Sequence, residues 1–240
     1  MSLRTAAVIP TLNEAESIGA VIAEIPRTLI DRVIVADGGS TDGTMERAVR
    51  AGAEVLRAGR GYGRACMAGA LAADDAEVLL FMDGDGADDP RAIPRLIAPL
   101  AAGTRDFVIG SRVLGNAAPG SLGAHQRLAG RGLGLAMRLL YGVAYTDLCA
   151  LRAIRRDVLL SLGMREMTYG WNLEMQMRAA RGGLRILELP VDNRPRSGGQ
   201  SKVAGSLRGS ARAATRILRT FGRLAMTAPP RIAASKGNRS

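Results

Sequence analysis

From Glu77 to Met82 the chain runs almost unbroken through apolar residues, then stops abruptly at Asp83-Gly84-Asp85-Gly86. An apolar run this short, without polar alternation, is the pattern of a central parallel strand covered on both faces. The earlier runs obey the same logic. Thr5 to Ile9, Arg32 to Ala36 and Ala53 to Arg57 are short and apolar, with the amphipathic stretches Glu14 to Ile25 and Thr44 to Ala51 between them. That strand-helix-strand rhythm predicts an α/β fold on a Rossmann-like, mostly parallel sheet flanked by helices. Further along, Pro90 to Ala101 reads as a helix with proline in its first turn, and Phe107 to Gly110 as a strand.

Beyond Arg112 the pattern changes. Helix-leaning, glycine-rich sequence from Gln126 to Tyr141 leads to a segment from Asp147 to Arg152, a helix near Trp171 to Arg181 and a strand near Arg185 to Val191. No repeat and no long linker divides the 240 residues, and 47% hydrophobic residues suffices for one sizeable core. The expected organisation is a main domain over residues 1–202, a basic amphipathic helix over 203–228 and a disordered tail over 229–240. In the helix, Arg208, Arg212, Arg216, Arg219 and Arg223 fall within an arc of about 80°, opposite Leu207, Ile217, Leu218, Phe221 and Leu224. Such a helix either packs on its own domain or lies on an acidic membrane surface.

The net charge of +11 calls for anionic partners, but the 3% aromatic content argues against base-stacking surfaces, so no nucleic-acid partner is expected. Cys66 and Cys149 lack CxxC spacing and His125 is the single histidine, which excludes the familiar zinc frameworks. Both thiols are expected to be idle in a reducing cytosol. No cleavable leader is visible ahead of Pro10, and Leu133 to Tyr145 is too short for a bilayer and carries Arg138. The expected localisation is cytoplasmic, with membrane contact at most peripheral on the inner face.

Open α/β sheets bind ligands at the carboxyl ends of their strands. Polar residues follow apolar runs at Pro10-Thr11-Leu12-Asn13-Glu14, at Asp37-Gly38-Gly39-Ser40-Thr41-Asp42-Gly43-Thr44, at Asp83-Gly84-Asp85-Gly86 and at Gly110-Ser111-Arg112. Asp83 and Asp85, two apart in extended chain, point the same way, and Gly84 between them allows a ligand close approach. Two hard oxygen ligands suit Mg²⁺ or Mn²⁺ completed by diphosphate and water. A calcium loop is disfavoured, because the glutamate at its twelfth position and the preceding helix are missing. Asp37 can accept hydrogen bonds from a base or ribose, or simply shape a turn. Asn13 and Glu14 are either ligand contacts or helix caps. The glycines and arginines of Gly59-Arg60-Gly61-Tyr62-Gly63-Arg64 suit phosphate contact or a flexible loop.

In this order and spacing the segments resemble the family 2 glycosyltransferases of GT-A fold, over roughly residues 5 to 205, and within them the dolichyl and polyprenyl phosphate sugar transferases. The resemblance implies a nucleotide-sugar site at Pro10, Leu12, Asn13, Glu14, Asp37, Gly39, Ser40, Arg60, Gly61, Asp83 and Gly84, and a metal at Asp83 and Asp85. It further implies catalytic roles for Asp85, Arg112 and Arg127, with Arg112, Arg127, Arg196, Ser201 and Lys202 on the acceptor and phosphate side. Arginine forks match phosphate oxygens bidentately.

The chain also departs from that pattern. Ala87 stands where many relatives place a metal-ligating glutamine, the usual paired aspartates of the second segment appear as Ala36-Asp37, and the C-terminal transmembrane helices of some relatives are missing. The implied reaction is inverting transfer of a hexose from GDP-mannose or UDP-glucose to a polyprenyl-type lipid phosphate. A phosphate acceptor, with a second pKa near 6, needs no general base, whereas a hydroxyl acceptor does. His125, Asp88, Asp89 and Glu174 are base candidates without a partner pattern. A soluble hydroxyl acceptor, a nucleotidyltransferase and a non-catalytic binder of nucleotide sugar or anionic lipid remain the alternatives.

Overall fold

The computed structural model describes residues 3–116, 124–198, 215 and 219–224. Its centre is a seven-stranded sheet in the order β3-β2-β1-β4-β6-β5-β7. The strands are β1 (Thr5–Thr11), β2 (Arg32–Asp37), β3 (Glu54–Arg57), β4 (Val78–Phe81), β5 (Phe107–Ser111), β6 (Arg152–Arg155) and β7 (Ile186–Pro190). Only β6 runs against its neighbours, pairing antiparallel with β4 and β5. The remaining pairings are parallel, so the expected mostly parallel sheet is present.

Alternate side chains of each strand serve opposite layers, as the period of two dictates. Ala7, Ile9, Val78 and Leu80 pack with Ile18 and Ile22 of α1 (Ile18–Glu24), Ala48 of α2 (Thr44–Arg50), and Ile93 and Leu96 of α4 (Ile93–Ala101). Ala6, Val8, Leu79 and Phe81 pack on the other face, with Ala70 of α3 (Tyr62–Ala72), Leu159 of α6 (Arg156–Ser161), Met175 of α7 (Trp171–Arg181) and Met137 of α5 (Ala124–Tyr141). The spacing of Ile18, Val21, Ile22 and Ile25 places one apolar stripe against the sheet, and all four are buried. Trp171 stands edge-on to Phe81, ring centres 6.4 Å apart, and anchors α7 beneath β4.

The last described turn, residues 219–224, packs on this domain. Leu224 and Thr220 are buried and Phe221 adds to the core, while Arg219 and Arg223 stay exposed. Thr220 donates its hydroxyl to Glu166 at 3.1 Å, and the Leu224 carbonyl accepts from Arg181. Arg208, Arg212 and Arg216 lie outside the described residues, as does the tail from 229 onward. Among the described residues no helix is long and apolar enough to cross a membrane. Cys66 and Cys149 are buried free thiols.

Candidate active site

The carboxyl ends of β1, β2 and β4 meet at one rim, where the first two polar segments are laced together. Asn13, in left-handed backbone with φ of 53°, donates its N–H to Ser40 Oγ at 2.7 Å and accepts the Thr41 N–H at 2.9 Å. The Glu14 and Ala15 N–H groups bond Thr44 Oγ1 and Asp42 Oδ2. Asp37 is fully buried, with Oδ1 accepting from the N–H groups of Gly39 and Ser40 and Oδ2 from the hydroxyls of Thr11 and Ser40. Its carboxylate builds the turn, the plainer of the two roles open to it from sequence. Pro10 and Leu12 lie in or just after β1, beside this turn.

Gly61 also has a packing role. With φ of 130°, it lies so close to the next loop that an added Cβ would meet the Met167 carbonyl at 2.5 Å, and a Cβ at Gly63 would collide with Glu166. The glycines thus let the start of α3 pack on residues 166–167, where Arg64 N–H donates to Met167. Arg60 is exposed beside them.

Asp83 and Asp85 follow β4 as predicted. Gly84 between them gives its carbonyl to the Ser17 hydroxyl at 2.7 Å. Asp83 N–H donates to Asp88 Oδ2, and Ala87 N–H donates to Asp85 Oδ1, both at 2.9 Å. A segment far along the chain closes over this loop. Arg194 N–H bonds the Ala87 carbonyl at 2.9 Å, Ser197 N–H bonds the Asp85 carbonyl at 3.0 Å, and the Arg196 guanidinium reaches Asp85 Oδ2 at 3.0 Å and Glu14 Oε1 at 3.5 Å. Arg196 therefore stands against the carboxylate expected to hold the metal.

Burial and the repulsion of Asp88 and Asp85 push the Asp83 carboxyl up to about 8. Burial likewise pushes Asp88 up, to about 6. Crowded carboxylates of this kind attract a cation, and two hard-oxygen donors at a strand end fit a divalent ion whose remaining ligands come from diphosphate and water. Among the described residues no group of three acidic, His or Cys side chains forms a cage by itself. Ala87 indeed offers no side-chain ligand.

This electrostatic load sets a pH signature. In metal-free protein the folded state keeps protons on Asp83 and Asp88 that the unfolded chain releases near 3.8, so folding binds protons and stability falls as pH rises toward about 8. Thermal melts of the metal-free wild type are expected to decline across that window, and Asp83→Asn to flatten the decline. Parallel profiles for the two proteins would contradict the assignment.

On the far side of the rim, Arg112 follows β5 and grips Asp147 with Nε at 2.7 Å and a terminal nitrogen at 2.8 Å. Against the opposing effect of burial, that guanidinium holds the Asp147 carboxyl below its ordinary range. Asp147, the first residue of the Asp147 to Arg152 segment, thereby fixes Arg112. Arg112 is near enough to lower both Asp83 and Asp88 electrostatically, so the two sides of the rim act on one another. Arg152, at the far end of the Asp147 to Arg152 segment, is wholly buried in β6, bonding the Cys149 and Asn172 carbonyls. Arg127 lies in α5, described by its backbone alone, and so does His125. Ser201 and Lys202 lie outside the described residues.

The base candidates resolve differently. Asp89 caps the 3-10 turn at Pro90–Ala92 and pairs with Arg91 and Arg194. Glu174 is fully buried in α7, where it accepts the N–H groups of Arg165 and Glu166 and pairs with Arg178 at 2.9 Å.

Residues 6–163 match the family described as Glycosyl transferase family 2. The chain belongs to that family. An uncharacterized glycosyltransferase of Mycobacterium tuberculosis is 41% identical over 206 residues, covering 85% of this chain and 91% of the relative. The undecaprenyl-phosphate mannosyltransferase of Micrococcus luteus is 32% identical over 223 residues, covering 87% and 91%. Among solved structures, glucosyl-3-phosphoglycerate synthase of Mycobacterium tuberculosis, in complex with Mn²⁺, UDP-glucose and phosphoglyceric acid, superposes with a TM-score of 0.77 at 25% identity, over 93% of this chain and 80% of that one. The seven-stranded sheet of this family 2 glycosyltransferase is accordingly of GT-A type, as the sequence motifs implied.

Proposed function

We propose that this glycosyltransferase moves a hexose, with inversion, from a nucleoside-diphosphate sugar such as GDP-mannose or UDP-glucose to a polyprenyl-type lipid phosphate. The laced Asn13–Ser40 and Asp37 turns would seat the nucleoside, and Arg60 would stand beside its phosphates. Asp83 and Asp85 would hold Mg²⁺ or Mn²⁺, which when bound neutralises charge on the departing diphosphate. Arg196, now paired with Asp85, would serve the donor phosphates, while Arg112, oriented by Asp147, would meet the incoming acceptor, a role shared with Arg127, Ser201 and Lys202.

The single observation that supports the acceptor reading is that two of the four base candidates, Asp89 and Glu174, are already occupied. Asp89 is tied to two arginines and Glu174 is buried within α7. An acceptor that arrives already anionic needs neither. The Micrococcus relative's name, an undecaprenyl-phosphate mannosyltransferase, supports the same choice.

A second reading, a soluble phosphorylated acceptor attacking through its hydroxyl, draws on the phosphoglyceric acid bound in the solved neighbour. One experiment separates them. Thermal shifts with GDP, UDP, CDP and dTDP plus Mn²⁺ identify the donor, and the matching radiolabelled sugar nucleotide is then offered polyprenyl phosphate or phosphoglycerate. Label is expected in the organic phase with the lipid. Transfer to phosphoglycerate alone would overturn the lipid reading, and tight donor binding without any transfer would return the chain to a binding protein. Exposed Arg219 and Arg223 would add electrostatic attraction to an acidic membrane.

A further inference from the structure

The membrane-facing surface expected from sequence was the terminal basic helix, but its described turn turns Thr220, Phe221 and Leu224 inward. In that turn the apolar side is therefore already covered by the domain. Another helix has the opposite problem. On α5, Met137 is buried against the core, whereas Leu135, Leu139 and Leu140 are 59%, 77% and 53% exposed. Leu135 and Leu139 are one turn apart, and exposed Arg138 stands beside them. Single exposed leucines are ordinary; three within six residues of one helix form a patch that water disfavours.

The end of α5 adjoins the basic turn. Arg181 of α7 lies over the Tyr141 ring at 5.8 Å and donates to the Leu224 carbonyl at 2.5 Å, tying the two together. The leucine patch is thus bordered by Arg138, and its helix is tied through Arg181 to the turn that carries Arg219 and Arg223.

We infer that the exposed face of α5 docks on an anionic bilayer, with Leu135 and Leu139 entering the acyl boundary and Arg138 meeting the headgroup phosphates. Charge chooses this occupant over a second copy of the chain, since two copies would bring Arg138 and the rest of a +11 chain together. Long cationic side chains beside leucines are the composition that holds a helix in a membrane interface. The inference builds on the lipid-phosphate reading by naming how the enzyme reaches its acceptor, and it is tested without that acceptor.

Full-length protein is floated with vesicles of phosphatidylglycerol and phosphatidylcholine containing no polyprenyl phosphate. Wild type is expected to float, and Leu135→Gln/Leu139→Gln to bind about tenfold or more weakly while keeping its nucleotide-induced thermal shift. Arg138→Gln is expected to narrow the preference for phosphatidylglycerol over pure phosphatidylcholine. Equal flotation of the leucine variant would overturn the proposal, and so would a wild-type dimer in sedimentation that the leucine substitutions dissolve. Flotation without transfer to polyprenyl phosphate sinks the acceptor reading alone; transfer in detergent micelles without flotation sinks the docking surface alone.

Discussion

Replacing Asp85 with alanine is expected to lower sugar transfer by about a hundred- to a thousandfold and to leave the chain folded. Both halves of that expectation follow from where the side chain sits. Its Oδ2 pairs with the Arg196 guanidinium at 3.0 Å and its Oδ1 accepts one N–H of its own loop, so among the described residues it holds the loop and not the sheet beneath. Losing the carboxylate removes one of the two proposed metal ligands and leaves Arg196 with Glu14 as its acidic partner. Transfer rates with saturating Mn²⁺, read beside a melting curve, check this. Activity within threefold of wild type would mean that the charge at this rim serves something other than the donor diphosphate.

The second large effect is on stability. Glu174→Ala removes a buried carboxylate that satisfies two backbone N–H groups and the guanidinium of Arg178, whose side chain is only 14% exposed. Leaving these groups unpaired is expected to destabilise the fold by about 3–5 kcal/mol. For a chain of this size that lowers the melting temperature by roughly 6–20 °C. Transfer per folded molecule should be unchanged below the new transition. A loss of turnover at unchanged stability would restore Glu174 as a candidate base.

The two effects mark what was legible in the sequence. Strands β1, β2, β4 and β5 announce themselves as apolar runs, and the residues just beyond them form the rim because parallel strands deliver their carboxyl ends to one edge. Helix α7 was read correctly from Trp171 to Arg181. By contrast, α3 is so rich in alanine and glycine that its two faces hardly differ in hydropathy, and it went unread. Strand β6 is four residues with an arginine at each end, and its antiparallel pairing leaves no local trace. Glu174 reads as a base candidate because spacing says nothing of the backbone donors that surround it. The pairing of Asp147 with Arg112 spans 35 positions and is equally invisible to pattern.

The closure of residues 194–197 over the loop after β4 bears on how the protein is made. The loop leaves the ribosome more than a hundred residues before Arg196, and β7, the last strand among the described residues, ends at Pro190. The whole sheet can therefore be in place while Asp85 still lacks its cationic partner. Competence arrives last, with the final described stretch of the main domain. Premature termination between Pro190 and Arg196 would yield a chain that has all seven strands of its sheet but lacks both the cover over its acidic rim and the packed turn at 219–224.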